Sequence, residues 1–209
     1  MIAFQELIGK SHELAVELER CVARPAHDDS ERLQISQVLC SLSFEHAHAA
    51  RLLAGNGFLP SALAVHRTQF ETLLRSMWVL YAANENHLAK LGADLSEDSE
   101  QAARGIPLAV EMMNELAKKA PANAYKPIDD FKKGGWATLN SYVHAGIHPI
   151  KRHRDGYPIA LLESVVRNIN GLTVVSAMQA AALTGEIGLQ RDVIAIGERY
   201  AFCLIGQKT

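Results

Sequence analysis

The chain has 209 residues, 48% of them hydrophobic and 21% charged, with a formal net charge of −2. That length and balance exclude general disorder and fit one domain that can bury a full core without cross-links. They also exclude a broad basic field, so any contact with a nucleic-acid backbone has to come from a local cluster. Cys21, Cys40 and Cys203 are odd in number and far apart, with no Cys-x-x-Cys pair. Such a pattern points to reduced, buried thiols rather than a disulfide framework or a zinc site. The first residues, Met1 to Glu6, lack the basic and apolar regions of a signal peptide, so a cytoplasmic location is expected.

In chain order, a first helix is predicted over about Ile2 to Ala23, stopped by Pro25. Asp28, Asp29 and Ser30 supply an N-cap for a second helix from Glu31 to Ala54, which ends at Gly55-Asn56-Gly57. Pro60 and Ser61 open a third helix that reaches Ala83, and the short connection makes these two an antiparallel hairpin. The stretch near 91–105 is acidic and aperiodic and reads as a polar insertion, a loop or a short helix. A fourth helix covers Leu108 to Ala120, and Pro121 to Pro127 breaks it. A short helix follows over Trp136 to His144, then an irregular basic loop from His148 to Gly156. Pro158 starts a long helix ending at Thr184-Gly185, and a last helix spans Leu189 to Ile205. No stretch alternates with period two. The expected fold is all-α, a single helical-bundle domain over 1–209 with six to seven helices. The longest uncharged stretch, Asn168 to Gly185, holds too many polar groups for a lipid-facing span, so no membrane contact is expected. Its alanines fit either a central bundle helix or a dimer contact.

On the third helix, Leu63, Phe70, Leu74, Met77 and Tyr81 form one apolar face. Arg67, Glu71 and Arg75 run beside it at i, i+4 and i+8, either as a surface ion-pair ladder or as the lining of a polar pocket. On the second helix, Ile35, Val38, Leu39, Leu42, Ala49 and Leu53 read as the core face, with His46 among them. Glu45 and His48 have the Glu-x-x-His spacing of di-iron bundles, but no second copy exists. His144 and His148 have ligand-like spacing, but Gly146 and Pro149 deny them one regular helical face. No metal and no cofactor is therefore expected. Lys132-Lys133-Gly134-Gly135 lacks P-loop spacing, and neither GxGxxG nor GxSxG occurs.

The segment Trp136 to His144 is the most informative. Trp136, Leu139 and Val143 are placed to anchor its helix, while Asn140 and His144 share a neighbouring polar face. A histidine beside an amide at a helix end can serve as a general acid or base, and equally as a simple C-terminal partner of the helix dipole. Asn140-Ser141-Tyr142-Val143-His144 resembles the second part of the HEPN motif, Arg-polar-x-x-x-His, of bacterial toxin and antiphage helical proteins. The chain is also similar to bacterial helical families that carry a long Arg/Glu helix and a late Tyr-Val-His segment. The resemblance implies a homodimer whose cleft cleaves RNA without metal, a toxin or antiviral-defence ribonuclease, and a protein partner such as an antitoxin. Leu139 stands where the motif has Arg. On this reading the cation comes from Arg67, Arg75 or the basic cluster Lys151, Arg152 and Arg154, which would also bind RNA. The alternative is a non-catalytic bundle that binds a protein or small ligand through Arg67, Glu71 and Arg75.

Overall fold

The structure, a computed structural model, describes residues 3–206. It is all-helical. Ten α-helices occur among the described residues: α1 (Phe4–Val22), α2 (Glu31–Gly55), α3 (Leu59–Tyr81), α4 (Glu85–Gly92), α5 (Glu97–Ala103), α6 (Ala109–Lys119), α7 (Ala122–Val143), α8 (Ile147–Asp155), α9 (Ile159–Thr184) and α10 (Leu189–Arg199). The count exceeds six to seven because α4 and α8 form where the sequence reads as connection, and the stretch near 91–105, read as a loop or a short helix, holds the short helix α5. In the acidic stretch, Ser96 and Ser99 cap α5 reciprocally, which satisfies the first N–H groups of a helix that buries no side chain.

Three predicted boundaries are corrected. Pro127 does not break the chain, and α7 runs unbroken through it. Proline costs the helix one hydrogen bond, but Ile128, Phe131, Leu139 and Tyr142 fall on one helical stripe, where Phe131 stacks on Phe70 of α3 at 5.0 Å. The basic loop is a helix, α8. Its Pro149 sits in the first turn, where no N–H is needed. The last helix stops at Arg199, and a single 3₁₀ turn, Ala201–Cys203, follows.

α2, α3 and α9 form the centre. Ser36 Oγ donates to the carbonyl of Ser76 at 2.8 Å and Ser43 Oγ to that of Gln69 at 3.1 Å, so the partner number falls as the first rises. α2 and α3 are thus antiparallel. α9 lies against α1, α2, α3 and α10, and its alanines serve as the inside of a central helix: Ala177 and Ala181 are buried. The seam between α2 and α9 is made of small polar groups, with Ser43 and Ser176 hydroxyls 2.9 Å apart and Cys40 Sγ donating to the Ser176 carbonyl at 3.2 Å. Each hydroxyl is satisfied, which lets the helices approach closely without stranding a donor.

That seam corrects the expected core face of α2 in part: Ile35, Leu39 and Leu53 are half-buried against the core as expected, but the fully buried stripe lies beside them. The buried residues are Ser36, Cys40, Ser43, Ala47, Ala50, Arg51 and Ala54, whereas Val38 is 61% exposed and Leu42 and Leu52 also face outward. His46 is only half-buried. On α3 the expected apolar face is buried except for the half-buried Tyr81, yet so are Gln69 and Ser76 opposite it, against α2. α3 is covered on nearly all sides, and Arg67, Glu71 and Arg75 mark the edge left open. Cys40 and Cys203 are buried and Cys21 is half-buried. No helix among the described residues is long and apolar enough to cross a membrane.

Candidate active site

The end of α7 divides its side chains between two surfaces. Leu139 (3% exposed) and Tyr142 turn inward against α3 and α9. Val143, expected to anchor the helix, is 43% exposed, and Tyr142 takes that role. His144 is the C-cap and lies in the open, its N–H donating to the carbonyl of Asn140 at 3.1 Å. Ala145 then adopts a left-handed conformation, φ 49°, and the Gly146 N–H returns to the carbonyl of Ser141 at 2.7 Å. This is the usual way to close a helix, but with alanine where glycine would be unstrained. The strained corner fixes where His144 leaves α7 and where α8 begins.

His144 and Val143 meet α3 across an open hollow of about 440 Å³, which Ala64, Arg67, Thr68 and Glu71 also line. Three of the residues singled out from sequence, Arg67, Glu71 and His144, are therefore brought together. Arg67 Nη2 donates to Glu71 Oε1 at 2.7 Å, and its guanidinium lies 4.3 Å over the Trp136 ring. The Arg67 side chain is 16% exposed and that of Glu71 39%, so the pair is sheltered on one side only. The Nε atoms of Arg67 and Arg75 are buried without a hydrogen-bond partner. Arg75, two turns further along α3, does not line the hollow. Asn140 touches His144 through its backbone, while its Oδ1 is buried without a partner among the described residues. Asn140 and His144 are neighbours as expected, but no side-chain hydrogen bond joins them among the described residues.

The basic residues of α8 separate. Lys151 is exposed, and Arg154 is held by Asp155 at 2.7 Å. Arg152 turns to the opposite side of α7, into a cleft of about 470 Å³ bounded by α3, α7, α8 and α9. His66, Tyr142 and His148 share that cleft. Sequence reading missed this convergence, because the four come from three helices with no common spacing.

A further polar cluster lies near the C-terminal end of α2. His48 Nε2 is 2.5 Å from Glu19 Oε1, and Arg51 Nη2 is 3.2 Å from His48 Nδ1. A guanidinium can only donate, so Nδ1 accepts and the proton sits on Nε2, pointing at Glu19. Arg51 also donates to Thr173 Oγ1 at 3.1 Å. Burial pulls its pKa down to about 10, opposed by the charge of Glu19. His48 thus pairs with Glu19 of α1, and Glu45 stays exposed. Among the described residues, no three His, Cys, Asp or Glu side chains gather as a metal site would require.

Residues 40–206, well over half of the chain, match a family described as of unknown function, DUF6988, and the chain belongs to that family. No curated protein and no solved structure matches it.

Proposed function

We propose that this DUF6988 chain is a HEPN-like protein acting on RNA, a metal-independent ribonuclease of the toxin or defence type. One observation carries the reading: His144 and the Arg67–Glu71 pair, 73 residues apart at the nearest, line one open hollow. The motif arginine is missing because Leu139 is a core residue. Arg67 supplies a guanidinium to the same histidine from another helix.

In this mechanism an RNA 2′-oxygen attacks the adjacent phosphorus, the 5′-oxygen leaves, and a 2′,3′-cyclic phosphate forms. His144, open to solvent, takes the proton from the nucleophile or gives one to the leaving oxygen. Arg67, held in place by Glu71 and Trp136, stabilises the extra charge on the phosphorane. Lys151 offers a contact to the backbone of the strand. Val143, Ile147 and Ile150 are exposed beside His144 (43%, 74% and 63%), which supports a homodimer that closes over the hollow and supplies a second His144.

The test is incubation of the purified protein with a labelled RNA pool. Cleavage should leave cyclic phosphate ends and persist with chelator present. His144→Ala should lower the rate by about 10²–10⁴, and Arg67→Ala should lower it too. Protein that neither cuts RNA nor harms growth on overexpression removes this reading. A second reading is then favoured by Arg75, which has no carboxylate partner among the described residues and is half-buried on the same helix as Arg67: a non-catalytic bundle whose arginine edge binds a protein partner such as an antitoxin, or a small ligand.

A further inference from the structure

The cleft on the other side of α7 has a chemistry of its own. Its floor is apolar, formed by Leu63, Leu139 and Val165, with Phe131 as an aromatic wall. Its volume, about 470 Å³, lies within the range of small-molecule pockets. Among the polar groups of the lining, one is fully buried and one is a half-buried cation.

The buried one is His66, which is 2% exposed. Its tautomer follows from its neighbours. The carbonyl of Ile169 can only accept, so the Gln69 side-chain amide turns its NH₂ to it, at 3.1 Å. Gln69 Oε1 is then left facing His66 Nδ1, at 2.8 Å, and Nδ1 must carry the proton. Nε2 remains a lone-pair acceptor. Burial keeps the ring neutral, with a pKa pulled down to about 4. The cation is Arg152. It is half-buried and has no carboxylate partner among the described residues, and the acid at the rim, Asp130, is already paired with Lys126 at 2.6 Å. His148 stands beside it, its ring roughly parallel to that of Tyr142 at 6.3 Å.

We propose that this cleft binds a small organic acid: a carboxylate facing Arg152, a flat apolar body between the aromatic walls, and a hydrogen-bond donor reaching His66 Nε2. The arginine fork matches a carboxylate and is poorly satisfied by water alone in a half-buried setting. The buried acceptor favours a ligand N–H or O–H over a purely apolar end, since an unmet buried acceptor is costly. The inference does not rest on RNA cleavage, which uses the opposite face of α7.

The full chain would be titrated by heteronuclear NMR with para-hydroxyphenylacetate and with indoleacetate, each a carboxylate on a flat body with a donor. The expected result is saturable shifts in α7, α8 and α9 at millimolar concentration. The methyl ester of the first probe removes the charge, and para-methoxyphenylacetate removes the donor. Each should bind about tenfold more weakly, the scale of one charged or buried hydrogen bond. Arg152→Gln, at a half-buried position on α8, should weaken both acids about as much and leave the ester unchanged. Absence of saturable shifts with both acids overturns the proposal. So does an ester or a methoxy analogue that binds as well as the parent acid, a comparison that needs no variant to fold.

Discussion

Arg67 answers to two partners of different kinds, the carboxylate of Glu71 and the face of Trp136. Because Glu71 is 39% exposed, water and salt screen the pair. Glu71→Ala should therefore cost less than about 1 kcal/mol rather than the 3–5 expected of a fully buried pair. Arg67→Ala loses the stacking on Trp136 as well and should cost about 1–2 kcal/mol. Urea denaturation of the two variants checks the order, and equal losses would contradict it. His66 predicts a pH effect. Its folded pKa of about 4 lies below the ordinary value near 6.5, so between these pH values the unfolded chain holds the extra proton. The stability that neutral His66 contributes is complete above about pH 6.5 and falls away as pH drops towards 4, by roughly 3 kcal/mol in all. His66→Gln should flatten that part of the stability profile. Parallel profiles for the two proteins would rule the effect out.

At the scale of helices, the boundaries set by capping and stop signals were legible: Gly55, Pro60, Pro121, Pro158 and Gly185 all fall at ends of elements. What misled was composition inside an element. Pro127, Gly134 and Gly135 disfavour helix locally, but the stripe from Ile128 to Tyr142 packs along α3 and outweighs them. α2 misled in the other direction. Its larger residues outline one face, while the buried face consists of Ser, Cys and Ala with Arg51, and the worth of the small ones lies in close approach to α9 and not in hydrophobicity. A pair of substitutions separates the faces. Ala47→Leu, at a site 0% exposed, should destabilise by about 1–3 kcal/mol through overpacking. Val38→Lys should change stability by no more than about 0.5 kcal/mol. Thermal unfolding of both variants is the check, and a costly Val38→Lys would restore the face read from sequence.

Across the whole molecule, α9 and the α2–α3 hairpin make the frame, and α7 with α8 forms an outer wall whose two sides carry the hollow and the cleft. The all-helical class and the Arg67, Glu71 and His144 set were within reach of sequence, because long periodic helices and a helix-end histidine leave local signals. The meeting of His66, Tyr142, His148 and Arg152 was not, since convergence of three helices has no one-dimensional signature. The orphaned side-chain oxygen of Asn140 was equally hidden, because its i, i+4 spacing to His144 does not say which side-chain atoms end without a partner.

The three thiols give this protein a built-in clock for its own opening. Cys40 lies in the seam between α2 and α9, and burial pushes its pKa up to about 12; Cys203 closes the 3₁₀ turn at 0% exposure. Cys21, on α1, is only half-buried. Alkylation needs a thiolate that the reagent can reach. Cys21 should label first, Cys203 when the turn after α10 lifts, and Cys40 only when the central helices part, so the three rates report fraying, local release and global unfolding in one experiment. Peptide mass spectrometry over a time course of iodoacetamide treatment would read them. If all three cysteines gained label together, the frame and its periphery would open as one unit.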